Sequence, residues 1–256
     1  MLPKTTDPAV RTSRRVPLAL PVPDACALLL AAAFPSLTAW WYFIAMGGRP
    51  AAIQQTAYAA GKIFQFGFPL FWVLVIQRRR PRWKRPAAAG LIEALGFGLA
   101  VAAAMLLGYF LWLRSAGLLT PAAAAIAGKV AGFGVNSPAR FVALGVFYCL
   151  FHSLLEEYYW RWFVFGGLGR FMPLGPAIVV SSVAFAAHHV IILAAYFGLF
   201  SAATVLCSLG VAIGGAAWAW IYHRSDSLLG PWLSHLLVDA AIFVVGYDLV
   251  RGALGG

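Results

Sequence analysis

The chain has 256 residues, 62% of them hydrophobic and 11% charged, with a formal net charge of +11. A soluble domain is nearer half apolar and a quarter charged, so the composition excludes that class and points to an all-α, polytopic membrane protein. The basic residues cluster in the N-terminal tail and in short loops, which argues against nucleic acid as a partner and for topogenic charge, with a minor role in binding anionic lipid.

In chain order, residues 1–23 are polar, basic and rich in proline (Pro3, Pro8, Pro17, Pro21 and Pro23), and read as a disordered cytoplasmic tail. The apolar run that follows is too long for a signal-peptide core and reads as a retained helix. A spanning helix needs about 20 apolar residues. Seven segments qualify, near 25–46, 58–77, 91–113, 139–164, 174–197, 200–222 and 228–250. Pro35 is expected to kink the first. Residues 24–138 form an N-terminal transmembrane region and 139–250 the functional core; 115–138 reads as an external loop or a re-entrant helix. Gly210 and Gly214, four apart, predict a close helix contact in the sixth span. Cys26, Cys149 and Cys207 are scattered without a CxxC pair and read as buried structural thiols.

Charge sets the expected orientation. Lys4, Arg11, Arg14 and Arg15 in the tail and the run Arg78-Arg79-Arg80-Pro81-Arg82-Trp83-Lys84-Arg85 are separated by two spans and fall on one side. The loops expected on the other side hold only scattered basic residues, Arg49, Arg114, Lys129 and Arg140. The N-terminus is therefore expected inside and the C-terminus outside, with Arg170 and Arg224 also inside. The Ala/Gly/Arg-rich composition looks bacterial, which implies the inner membrane.

Against this apolar background the ionisable residues stand out. Glu156 and Glu157 sit in the fourth span, followed by Arg161. His188 and His189 lie in the fifth, and His235 and Asp239 in the last. Charged groups at membrane depth are costly and mark functional sites by default. Glu157 and Arg161 are i,i+4 and can pair, while Glu156 is turned about 100° away and is left facing a site. His152 lies one turn before Glu156, on its face. Phe185 with His189 and His235 with Asp239 repeat the same spacing. A rise of about 1.5 Å per residue puts Glu156, His189, His235 and Asp239 at roughly 10–22 Å from the basic end, compatible with one shared cavity. A carboxylate beside a histidine suits activation of water, and a second histidine with an acid suits stabilisation of an oxyanion. The chain has no HExxH, no GxSG serine loop and no GxGD aspartyl motif.

The pattern Glu156-Glu157-x-x-x-Arg161, Phe185-x-x-x-His189 and His235-x-x-x-Asp239 resembles the CAAX-processing and bacteriocin-immunity family of intramembrane proteases, the CPBP or Abi group that includes Rce1-like enzymes. The resemblance covers residues 140–245. It implies a glutamic peptidase without metal or other cofactor, acting on a membrane-anchored protein or peptide. In it Glu156 and His189 activate water, and His235 and Asp239 stabilise the oxyanion. Glu157 and Arg161 support the site, with His188 and His152 as neighbours. His188 stands beside His189, and the spacing from Phe185 favours His189. Asp239 departs from the Asn of the prenyl-protein proteases. An ionised Asp cannot donate a hydrogen bond, which leaves it to orient His235 or hold it charged. Two other readings stand beside this one: a non-proteolytic immunity or membrane scaffold protein, and a metal-dependent membrane hydrolase. A transporter lacks the support of an inverted repeat or a broken-helix pair.

Overall fold

The computed structural model describes residues 22–81 and 88–255. The expected tail up to Pro21, and residues 82–87 of the basic loop, lie outside the described residues; Val22 and Pro23, assigned above to the tail, already belong to the first helix.

Among the described residues, seven helices are long and apolar enough to cross a membrane: α1 (Val22–Ala45), α2 (Ala51–Ile76), α3 (Gly90–Leu113), α5 (Pro138–Leu168), α6 (Leu174–Phe197), α7 (Ala202–Ser225) and α8 (Leu229–Ala253). Among the described residues there is no strand. The protein is an all-α polytopic membrane protein, as its composition implied. Its outer surface is made of large apolar side chains such as Ile63, Leu111 and Leu29, each at least 70% exposed, a surface that only lipid satisfies. The segment 115–138 contains a shorter helix, α4 (Thr120–Gly132), whose 13 residues span about 20 Å, too little for a bilayer. It packs against α6 and α8, and Gln55 Nε2 donates to the Gly132 carbonyl at 2.6 Å. Lys129 on α4 sits 4.1 Å above the Tyr42 ring of α1.

The span borders differ from those expected in two places that affect function. Helix α2 starts at Ala51, seven residues earlier than the hydropathy suggested, because Gln54 and Gln55 find carbonyl partners at Arg49 and Gly132. Helix α5 runs on to Leu168 and includes two π-helical stretches, Tyr148–His152 and Tyr158–Phe165, on either side of Ser153–Glu157. Such wider turns inside helices are frequent at functional sites. With the longer α5, Glu156 lies 12 residues, about 18 Å, from the basic end, nearer the midplane than expected.

Helix α5 is the central element. Tyr159, Trp160, Arg161 and Val164 are almost wholly buried against α1, α2, α6 and α7. Helix α6 packs along α7, and α3 along α8. Where α3 crosses α8, a Cβ on Gly98 would come within 2.9 Å of the Ser234 backbone, so only glycine permits this approach, one residue from His235. The close contact of α7 is made by Gly215, which lies against Ser182 and Phe185. Gly210 meets nothing and Gly214 meets only Trp218 of its own helix, a correction to the predicted pair. One residue of helix turns the face by about 100°, enough to exchange partner for lipid. Cys149 is buried as expected, but Cys26 and Cys207 are exposed; all three are free thiols.

Candidate active site

Three helices converge on Glu156. Its carboxylate is 4% exposed as a residue. Oε1 lies 3.7 Å from His188 Nε2 of α6 and 4.0 Å from His152 Nε2 on its own helix. Oε2 lies 3.8 Å from His235 Nε2 of α8. These separations exceed direct hydrogen bonds, so the i,i+4 bond expected from His152 is a proximity only. His189 Nδ1 is 3.0 Å from the Phe185 carbonyl, within the same helix. A ligand atom of each of Glu156, His188 and His189 falls within 4.8 Å of the others.

Glu157 faces the other way, as the helical rotation required. Its Oε2 is 3.0 Å from Arg161 Nε, an ion pair in which the N–H direction falls outside hydrogen-bond geometry; both side chains are wholly buried. Its Oε1 is 2.9 Å from His235 Nδ1. The anchored pair thus reaches across to α8 and fixes the imidazole, leaving His235 Nε2 directed at Glu156 and at Asp239 Oδ1, 3.5 Å away.

Aromatic rings lock this arrangement. Trp218 of α7 stacks on His235 (4.1 Å between centroids, 16° between planes), and its Nε1 donates to Ser234 Oγ at 3.0 Å. The Phe185 ring is a hub: it meets His189 at 4.8 Å, His188 at 5.6 Å and His235 at 6.2 Å. The Arg161 guanidinium lies 4.8 Å above the same ring and 5.5 Å from that of Trp218, so its unbonded nitrogens rest on π-faces. Trp160 lies parallel to His188 at 5.8 Å.

The structure therefore brings together every residue singled out above: Glu156, Glu157, Arg161, His152, His188, His189, His235 and Asp239. Reasoning from the sequence missed Trp218 and Ser234, which carry no recognisable spacing. It also missed Lys62 of α2. The Lys62 amine donates to Gln65 Oε1 at 3.2 Å and lies 5.5 Å from the Phe66 ring, which in turn meets His152 edge-on at 6.1 Å. Glu156 and Lys62 interact electrostatically. A signal existed, a lysine inside an apolar run, but a span starting at 58 places it near the helix end, where lysines reach the interface. The observed start at Ala51 puts it about 16 Å deep.

Residues 138–241 match the family model described as type II CAAX prenyl endopeptidase Rce1-like. The match begins with α5, ends within α8 and contains all eight of these residues, while Lys62 lies outside it, and it confirms the resemblance carried by the three motifs. No curated protein and no solved structure matches the chain.

Proposed function

We propose, from the similarity of residues 138–241 to the Rce1-like family model, that this membrane protein is an intramembrane endopeptidase of that kind, using Glu156 to activate water. The observation that carries the proposal is the buried Glu156 carboxylate facing three imidazoles at 3.7–4.0 Å. Polar groups that converge without bonding directly to one another can all bond to one water. In the reaction Glu156 accepts a proton from that water as its oxygen bonds to the scissile carbonyl carbon. The oxyanion that forms is received by His235 Nε2, whose ring Glu157 and Trp218 hold in place. Glu156 then returns the proton to the departing amine as the C–N bond breaks, giving an acid and an amine.

Either histidine of α6 serves beside Glu156 in this scheme. His188 has the shorter contact to Glu156, while His189 is tied through Nδ1 to its own helix and presents Nε2. Asp239 orients His235. The substrate is a membrane-anchored protein or peptide, and the membrane is the bacterial inner membrane with the Arg-rich end in the cytoplasm and the C-terminus outside.

A second reading has one specific support: Glu156, His188 and His189 form a donor set that suits a metal ion such as zinc. Metal analysis of the purified protein, together with activity before and after chelation, separates the two.

The deciding experiment compares protein termini in membranes containing wild type or Glu156→Gln at equal abundance. New termini that vanish with Glu156→Gln, with turnover of a cleaved reporter down by about 10²–10⁴-fold, support the proposal. Identical termini from two equally folded proteins would reject it in favour of an immunity or scaffold protein.

A further inference from the structure

Lys62 and Gln65 of α2 form a polar pair that the reaction proposed above does not use. With Tyr58 and Phe66 they recur at spacings of three and four and share one face of the helix. That face looks into the bundle. Tyr58 packs on Tyr42 of α1 at 4.6 Å, and Phe66 meets His152 at 6.1 Å and Tyr159 at 6.2 Å, both on α5. Gln65 is 1% exposed. Lys62 is half-buried, its amine 5.5 Å from the ring centres of both Tyr58 and Phe66.

The pair holds more donors than acceptors. A lysine amine carries three N–H bonds, and its protein hydrogen bond is to Gln65 Oε1 at 3.2 Å. That bond occupies the amide oxygen, while Nε2 of the same amide is buried with no hydrogen-bond partner. No carboxylate of the described residues forms an ion pair with Lys62. Lys62 acts electrostatically on Glu156, His152 and His188, yet the close contacts of Glu156 are with imidazoles. A cation at membrane depth is costly without a partner, and an unmet buried donor adds to the cost. Attraction to Glu156 explains a positive charge nearby. It does not explain an orphaned amide N–H beside that charge.

We propose, on the reading of this site as a protease, that Lys62, steadied by Gln65, binds a carboxylate of the substrate near the scissile bond. An anion is the acceptor that suits an ammonium and an amide N–H together; a neutral carbonyl would leave the charge unpaired. Phe66, one turn beyond Lys62, touches His152, whose Nε2 is 4.0 Å from Glu156. An extended peptide advances about 3.3 Å per residue, so the carboxylate lies within a few residues of the bond cleaved. An acidic side chain and a C-terminal carboxylate share this chemistry. Lys62 and Gln65 lie outside residues 138–241, the segment similar to the family model, as suits groups that select the substrate rather than perform the reaction.

The test uses the full chain in a neutral detergent and equilibrium binding, by calorimetry, of three N-dodecanoyl tripeptides. Ala-Gln-Leu amide has no carboxylate, Ala-Glu-Leu amide has one on its side chain, and Ala-Gln-Leu free acid has one at its chain end. At least one acid should bind about tenfold more tightly than the blocked peptide, and which one identifies the source of the carboxylate. That advantage should vanish in Lys62→Met and in Lys62→Gln, two variants whose unfolding temperatures establish that they are folded. Comparing each variant with wild type cancels any unequal partition of the peptides into micelles. Equal binding of all three peptides by wild type, or an acid advantage that persists in a folded Lys62 variant, would overturn the proposal. Failure of the protease reading is distinct: it would show as termini independent of Glu156, whatever the peptides do.

Discussion

Replacing Arg161 by Met tests the central ion pair. Arg161 and Glu157 are both wholly buried, with Nε and Oε2 3.0 Å apart. At an effective dielectric of about 20, this contact is worth about 5–6 kcal/mol in Coulomb energy. Removing both charges from water costs several kcal/mol per ion, so the intact pair contributes little net stability. Removing one partner is different, because the other charge stays buried without compensation. Arg161→Met should therefore destabilise the fold by about 3–5 kcal/mol. The double variant Glu157→Gln/Arg161→Met should recover at least half of that loss, since no unpaired charge remains at the pair. Both variants should lose most cleavage, because Glu157 Oε1 also fixes His235 Nδ1 at 2.9 Å. The assay is reversible unfolding in mixed micelles, read by tryptophan fluorescence, combined in a double-mutant cycle. If the double variant is as unstable as, or less stable than, Arg161→Met alone, the pair does not neutralise itself and the reasoning fails.

Three further outcomes follow from the same geometry. Ser234→Ala removes the acceptor of the Trp218 indole N–H; it should cost about 1–3 kcal/mol in the same unfolding assay and lower turnover more than it raises KM. Gly98→Ala places a methyl group 2.9 Å from the Ser234 backbone and should cost about 1–3 kcal/mol, whereas Gly96→Ala on the same helix, with open space around it, should not destabilise; equal effects would contradict the packing described here. Lys62→Met removes a deep cation whose protein hydrogen bond is to Gln65; stability should hold or rise while cleavage of a reporter falls about tenfold, and unchanged cleavage would show that this charge is irrelevant to the site.

The site was largely legible because helical spacing turns sequence into direction. Glu156 and Glu157 are adjacent and so diverge, Glu156 toward the imidazoles of α6 and Glu157 toward Arg161, although both reach His235 of α8. Phe185 and His189 had to share a face, and their rings meet at 4.8 Å. The spacing did not reveal that His188, one residue before His189, also reaches Glu156, because the rotation of α6 against α5 depends on contacts between helices. Lys62 was hidden by a seven-residue error in one helix border, set by two glutamines whose partners lie outside a hydropathy window. The Gly210 and Gly214 spacing misled for the same reason: small residues permit close approach but do not say which face the partner occupies.

The sequence by itself determined that the chain is a bundle of seven apolar helices with a segment similar to the Rce1-like family, since unbroken runs of apolar residues in lipid can only satisfy their backbone as helices. It also determined which acids, bases and cations lie at membrane depth. Only the tertiary structure decided how they are wired: that Glu157 spans from Arg161 to His235, that Trp218 and Ser234 pin that imidazole, and that Arg79 and Arg170 share one cavity. These contacts join residues up to about 90 positions apart in the chain, and their geometry is set by the rotation and closeness of packed helices, which no local period in the sequence encodes.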